Sequence, residues 1–228
     1  FWSNVLPKQD AEMISRHIVS HGVDLRHNSE LDKILDDGNG NVRSVLTKDG
    51  EEIPCSVVGI TTGVKPQISF LQHSKIETDK GILVNRKLET NIEDVYAIGD
   101  CAQQREPIGN RPPVEAVWYT GRMMGEALAQ TICGKPFEYN PGNWFNSAKF
   151  FDIEYQTYGW VFSQSKRKDY EAQFHWKCAS DLRCVTISYN KNSNEFLGIN
   201  TFGIRMKHEV FDKWLNEKRS VDYVIENL

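Results

Sequence analysis

The stretch Thr90-Asn91-Ile92-Glu93-Asp94-Val95-Tyr96-Ala97-Ile98-Gly99-Asp100 ends an apolar run in a glycine and a carboxylate. Val95 to Ile98 reads as a buried strand that delivers Asp100 to its carboxyl end, the place where open α/β sheets bind ligands. Gly99 lets a ligand approach the backbone with no β-carbon in the way. A carboxylate there accepts hydrogen bonds from the hydroxyls of a sugar alcohol. A polar loop with Pro107, Gly109, Pro112 and Pro113 follows. Pro113 suits the first turn of a helix. Val114, Val117, Trp118, Gly121, Met124, Leu128 and Ile132 share one face of it, and Gly134 and Pro136 end it. Such a helix starts with unpaired N–H groups and partial positive charge, close to Val114 and Glu115. A Gly-Asp dipeptide alone is an ordinary turn; the information lies in the succession of strand, Gly-Asp, loop and proline-led helix.

That succession resembles the second FAD-binding signature of the flavoproteins with two dinucleotide-binding domains. This is the pyridine nucleotide-disulfide oxidoreductase family, with its glutathione, rubredoxin and ferredoxin reductases and NADH oxidases. The resemblance implies an α/β fold: partial FAD- and NAD(P)-binding Rossmann-like domains followed by an α+β C-terminal domain. It implies FAD and NAD(P)H as cofactors, with Asp100 on the ribityl chain next to Gly99. Val114 and Glu115 then lie nearest the pyrimidine end of the flavin, where the helix start stabilises the negative charge of reduction. Trp118, one turn in, touches the ring or packs beneath it. Val58 to Pro66 resembles the strand that leaves the family's NAD domain and returns to its FAD domain. Where the family commonly has Ala-Thr-Gly or Ala-x-Gly, this chain has Thr61-Thr62-Gly63, which puts Gly63 at the nicotinamide site. Taken alone, the segment reads equally well as a strand ending in a glycine turn.

The glycine fingerprint G-x-G-x-x-G, which holds a pyrophosphate after a strand, does not occur; Gly38-x-Gly40 runs on to Arg43 inside a hairpin. The resemblance places both fingerprints, and any redox-active cysteine pair, upstream of Phe1. The sequence is therefore expected to be the C-terminal portion of an oxidoreductase, and a half-site without phosphate cradles to hold FAD weakly or not at all.

The elements around the motif divide into three expected segments. Residues 1–63 read as the remainder of an NAD(P)-binding domain, 64–140 as the C-terminal half of an FAD-binding domain, and 141–228 as an α+β interface domain. The first opens with a helix capped by Asp10, carrying Met13, Ile14, His17, Ile18 and His21 at helical spacing and stopped by Gly22. Strands are expected at Val23–His27, Leu31–Leu35, Val42–Leu46 and Val57–Thr61, with hairpin turns at Asp37-Gly38 and Asp49-Gly50. Ile82–Val84 is a short strand. In the third segment Phe151 to Thr157, Tyr170 to Trp176, Cys184 to Tyr189 and Phe196 to Phe202 read as strands, and Val210 to Leu228 as helices. Gly121-x-x-x-Gly125 points to close helix packing, its polar flanks being wrong for a membrane dimer.

Composition narrows the function classes. The 228 residues, 39% hydrophobic and 25% charged, describe a soluble globular chain. A net charge of -4 argues against nucleic acid as partner, and no apolar run is long enough to span a membrane. Five cysteines, none in C-x-x-C and none in a zinc pattern with histidine, read as free thiols of a reducing cytoplasm, with Cys178/Cys184 as the alternative redox pair. The six histidines have no obvious acid partner, and no metal site is expected. The main expectation is an enzyme that passes a hydride from NAD(P)H to flavin and electrons onward to a small molecule or small protein, as a homodimer. The rivals are a non-catalytic interaction module, above all in 141–228, and a nucleotide-binding enzyme without flavin.

Overall fold

The computed structural model describes residues 1–106, 108–179 and 182–228; the expected loop residue Pro107 lies outside these. The elements are helix α1 (Lys8–Ser20), strands β1 (Leu31–Asp36), β2 (Val42–Thr47), β3 (Glu52–Pro54), β4 (Ile82–Val84) and β5 (Ala102–Gln104), and helix α2 (Trp118–Ile132). Then come β6 (Phe145–Phe150), β7 (Ile153–Gly159), β8 (Glu171–Lys177), β9 (Cys184–Asn190), β10 (Phe196–Phe202), α3 (His208–Asn216) and α4 (Val221–Glu226). They form two compact units, residues 1–59 together with 143–228, and residues 60–142. The expected segment 64–140 coincides closely with the second unit, whereas 1–63 and 141–228 largely share the first. Among the described residues no helix is long and apolar enough to cross a membrane.

The first unit centres on an antiparallel sheet in the order β6-β7-β10-β9-β8. Both faces are covered. Ile14 and Ile18 of α1 pack with Ile153, Tyr155, Cys184 and Phe202. Phe211, Trp214, Val221 and Val224 of the C-terminal helices pack with Tyr158, Ile187 and Ile199. Period-two alternation in β7 separates these faces. Asp10 does not cap α1: Pro7 precedes the helix, and Asp10 sits in the first turn, fully buried. Its carboxylate accepts hydrogen bonds from Thr186 Oγ1 (2.7 Å) and Asn200 Nδ2 (3.3 Å). Those buried sheet donors need an acceptor, and the positive end of α1 favours an anion.

Strands β1, β2 and β3 form a small antiparallel meander turned at the two expected Asp-Gly sites. Val23–His27 is not a strand; its one inward side chain, Leu25, packs on the α1 core, while Arg26 is bonded to Asp24 and Glu51. Val57–Thr61 is not a strand either, with Val57 82% exposed. An apolar run of that kind needs ladder neighbours on both sides, and among the described residues none pairs with it.

The second unit pairs β4 with β5 in parallel and packs them with α2 around Ile82, Val84, Leu88, Ala97, Met124 and Leu128. The expected strand Val95–Ile98 is extended chain, joined by a single bridge between Glu89 and Tyr96. A tight turn, Thr90 N–H to the Val95 carbonyl (2.9 Å) with Asp94 at φ 61°, leaves it no room for a ladder. The paired strand is Ala-Gln-Gln, after the Gly-Asp. Its polarity hides it, because Gln103 is satisfied internally: its Oε1 accepts from Gly81 N–H (2.8 Å) and its Nε2 donates to Asp79 (3.0 Å).

Candidate functional site

Gly99, Asp100 and Cys101 form a single 3-10 turn between the extended segment and β5. Gly99 is at φ 74° with open space where a β-carbon would stand, a conformation that favours glycine. Its N–H donates to Met124 Sδ (3.3 Å). A β-carbon on Gly121 would lie 3.4 Å from Gly99 Cα, and one on Gly125 would lie 3.9 Å from Ile98 Cδ1. Gly121 therefore serves the close approach expected of it, with the Gly99 backbone as the partner, while Gly125 faces the Ile98 side chain at ordinary contact distance. Asp100 is exposed, and no described residue engages its carboxylate.

Helix α2 begins at Trp118, not Pro113. The Pro113 carbonyl accepts a hydrogen bond from Gln104 N–H (2.9 Å), which ties Pro113 to the end of β5, and Val117 N–H bonds back to the Glu115 carbonyl (2.9 Å) just before the helix. Val117, the residue before the helix, offers no side-chain cap, and the first-turn donors receive none from it.

Val114 and Glu115 consequently face different surroundings. Val114 lines an open groove of about 680 Å³ with Val64, Pro66, Ile68 and Asp79. Gly81 packs closely behind Val114: a β-carbon on it would be 2.7 Å from the Cys101 carbonyl oxygen and 3.3 Å from Val114 Cγ2. Glu115 is buried, with its two carboxylate oxygens 3.0 and 2.9 Å from Arg111 Nη1, and accepts from Thr120 Oγ1 (3.1 Å). Arg111 Nη2 donates to the carbonyls of Pro141 (3.2 Å) and Gly142 (3.3 Å). Burial, and then the negative charge of Glu115, pushes the Tyr139 hydroxyl up to about 12. Trp118 is 69% exposed at the helix start, with Tyr119 edge-on (5.4 Å) and the Arg122 guanidinium 5.8 Å from its ring. Gly63, at φ 95° and exposed, immediately precedes Val64 of the groove.

The structure thus brings Gly99 and Asp100 onto α2, sets Val114 beside the Gly63–Val64 segment, and turns Glu115 inward. The exposed, unengaged carboxylate, the open glycine and the uncapped helix start fit the sugar-alcohol and ring edge of a flavin. Nothing in the sequence fits its pyrophosphate, since no G-x-G-x-x-G occurs. The inward ion pair went unread although its R-x-x-x-E spacing was visible. Acid partners of three histidines were also missed: His17 Nε2 lies 2.7 Å and His21 Nε2 3.6 Å from Asp152 Oδ1, and His175 Nδ1 3.4 Å from Asp10 Oδ1. These carboxylates are 135, 131 and 165 positions away along the chain, so no local pattern announces them.

Comparison with known proteins bears on the family and the fold. The chain is 30% identical over 131 residues to the rubredoxin-NAD(+) reductase of Acinetobacter baylyi, covering 58% of this chain and 32% of that protein. It is 33% identical over 162 residues to the ferredoxin--NAD(P)(+) reductase fdr of a Sphingomonas species, covering 68% and 38%. The chain thus spans about a third of the length of these relatives. Its fold is similar to that of an FAD-dependent pyridine nucleotide-disulphide oxidoreductase from Desulfovibrio vulgaris, with a TM-score of 0.77 and 16% identity over 98% of this chain and 57% of the other. Residues 2–125 match the model of one family, and the chain belongs to it: the pyridine nucleotide-disulphide oxidoreductases.

Proposed function

We propose that the chain works within an FAD-dependent NAD(P)H oxidoreductase and supplies the ribityl-side and ring-side edge of the flavin site. One observation carries this reading: the Asp100 carboxylate is exposed and unengaged on a turn whose glycine rests against α2. When bound, the flavin supplies two-electron transfer from NAD(P)H to an acceptor. Asp100 accepts hydrogen bonds from ribityl hydroxyls, and Gly99 keeps side-chain atoms away from them. The start of α2, at Trp118, presents N–H groups and partial positive charge to an electron-rich ring edge. Val114 and the Gly63–Val64 segment offer apolar surface and close backbone approach. Glu115, locked to Arg111, positions the Pro113–Val117 backbone. On this reading the pyrophosphates are held by residues other than these 228.

The names of the relatives support a small electron-carrying protein, of rubredoxin or ferredoxin type, as acceptor, with a small molecule as the other option. The free thiols of Cys55, Cys101, Cys133 and Cys184 are consistent with a cytoplasmic setting. A homodimer is carried over from the resemblance.

The test is purification of the full-length gene product and of its Asp100→Ala variant. A yellow protein bleached anaerobically by NADH or NADPH, with flavin lost from the variant on gel filtration, supports the reading. A colourless protein with no NAD(P)H-dependent dye reduction overturns it in favour of an interaction module.

A further inference from the structure

In the first unit, far along the sequence from the candidate flavin edge, three donor atoms of metal-binding type converge. His17 lies in the last turn of α1, His21 is the residue that follows the helix four positions on, and Asp152 lies in the turn between β6 and β7. One ligand atom from each lies within 4.8 Å of the others. His17 Nε2 is 2.7 Å and His21 Nε2 3.6 Å from the same carboxylate oxygen.

We propose that His17, His21 and Asp152 bind one divalent transition-metal ion of the zinc class. Histidines at i and i+4 are a recurrent metal-binding pair; here the His21 N–H bonds back to the carbonyls of His17 and Ile18 and keeps the two rings together at the helix end. A carboxylate as third ligand, with water in the open position, completes a tetrahedral or octahedral shell. Ligand atoms bonded at about 2.0–2.1 Å in a tetrahedron stand about 3.3–3.4 Å apart. The His21–Asp152 separation already has nearly this value, and the closer His17–Asp152 pair opens by rotation of the Asp152 side chain, which is 73% exposed.

The rings are oriented for the purpose. His21 Nδ1 is 3.0 Å from the His17 carbonyl oxygen. With the proton on Nδ1 donated there, Nε2 keeps its lone pair toward the cluster, the arrangement seen when a backbone carbonyl orients a metal-ligating histidine. The His21 ring stacks on Phe151 (4.2 Å between centroids, 11° between planes), and the His17 ring meets His21 edge-on. Phe151 itself is at φ 56°, in a two-residue hairpin connection whose positive-φ positions usually carry Gly or Asn. His17 is buried, while His21 and Asp152 face solvent, so an ion has a route in. A bound metal ties the last turn of α1 to a hairpin 135 residues away in sequence.

The test is calorimetric titration of the metal-free chain with zinc, after alkylation of its accessible cysteines under native conditions, for wild type, His21→Ala and Asp152→Asn. Both replaced side chains face solvent, and circular dichroism confirms that the variants are folded. The expected result is one zinc per chain, at least about tenfold weaker binding in each variant, and a zinc-induced rise in thermal midpoint that the variants lose. Cobalt in place of zinc gives the visible bands of nitrogen and oxygen coordination without thiolate charge transfer. Failure of the wild type to bind zinc, or binding equally tight in either folded variant, overturns the proposal and leaves the His17–Asp152 contact as a packing hydrogen bond.

Discussion

Gly121 rests directly on Gly99, with space for a β-carbon 3.4 Å from the Gly99 Cα. Gly121→Ala therefore adds one methyl at contact distance and relieves the entropy cost of glycine inside a helix. Stability rises by about 0.5–1 kcal/mol. Gly121→Leu pushes the Gly99–Cys101 turn off α2 and costs about 1–3 kcal/mol. Gly81→Ala also costs about 1–3 kcal/mol, because its methyl meets the Cys101 carbonyl oxygen at 2.7 Å, backbone that cannot step aside. Urea unfolding ranks the three; a Gly121→Ala variant less stable than Gly81→Ala contradicts this packing.

Arg111 and Glu115 are a buried pair, with side chains 7% and 6% exposed. Removing one charge strands the other, so Arg111→Met and Glu115→Leu should each destabilise by about 3–5 kcal/mol. The double variant should recover much of the loss, since neither charge is then left alone. A double-mutant cycle in urea measures the coupling. Simple addition of the two losses refutes a paired role.

Cys184 gives the first unit an alkaline limit. Burial raises its thiol from 9.0 to about 12. The unfolded chain loses this proton near pH 9 while the folded chain keeps it, so in that window the unfolded state binds fewer protons and stability falls as pH rises. The contribution is complete below about pH 9 and gone above about 12. Stability measured from pH 8 to 11 should decline less steeply in Cys184→Ala than in the wild type. At neutral pH Cys184 should react with iodoacetamide far more slowly than exposed Cys133. Equal slopes and equal labelling rates contradict the assignment.

The strands β7 to β10 and the two C-terminal helices were legible because each faces a core on a regular period, which the alternation Ile153, Tyr155, Thr157 displays directly. The apolar character of Val57 to Ile60 was equally plain, but a strand is a pairing, and pairing partners are not written in the run itself. The start of α2 was misplaced by five residues because Pro113 looks like a helix opener, while its carbonyl is claimed by Gln104. Ala102–Gln104 was missed because two buried glutamines look like surface. In the candidate site, residue types and order located Gly99, Asp100 and Val114. The inward turn of Glu115 depended on Arg111, and the buried role of Asp10 on Thr186 and Asn200, contacts that only the folded chain creates.

The sheet that covers α1 is built wholly from residues after 143, while residues 60–142 form a unit of their own. On the ribosome, α1 therefore emerges long before its cover. Met13, Ile14 and Ile18 stay wet through translation of the whole intervening unit, which can complete itself meanwhile from contiguous chain. Such long-range closure is slow, and the nascent amphipathic helix is the natural place for a holding chaperone to grip.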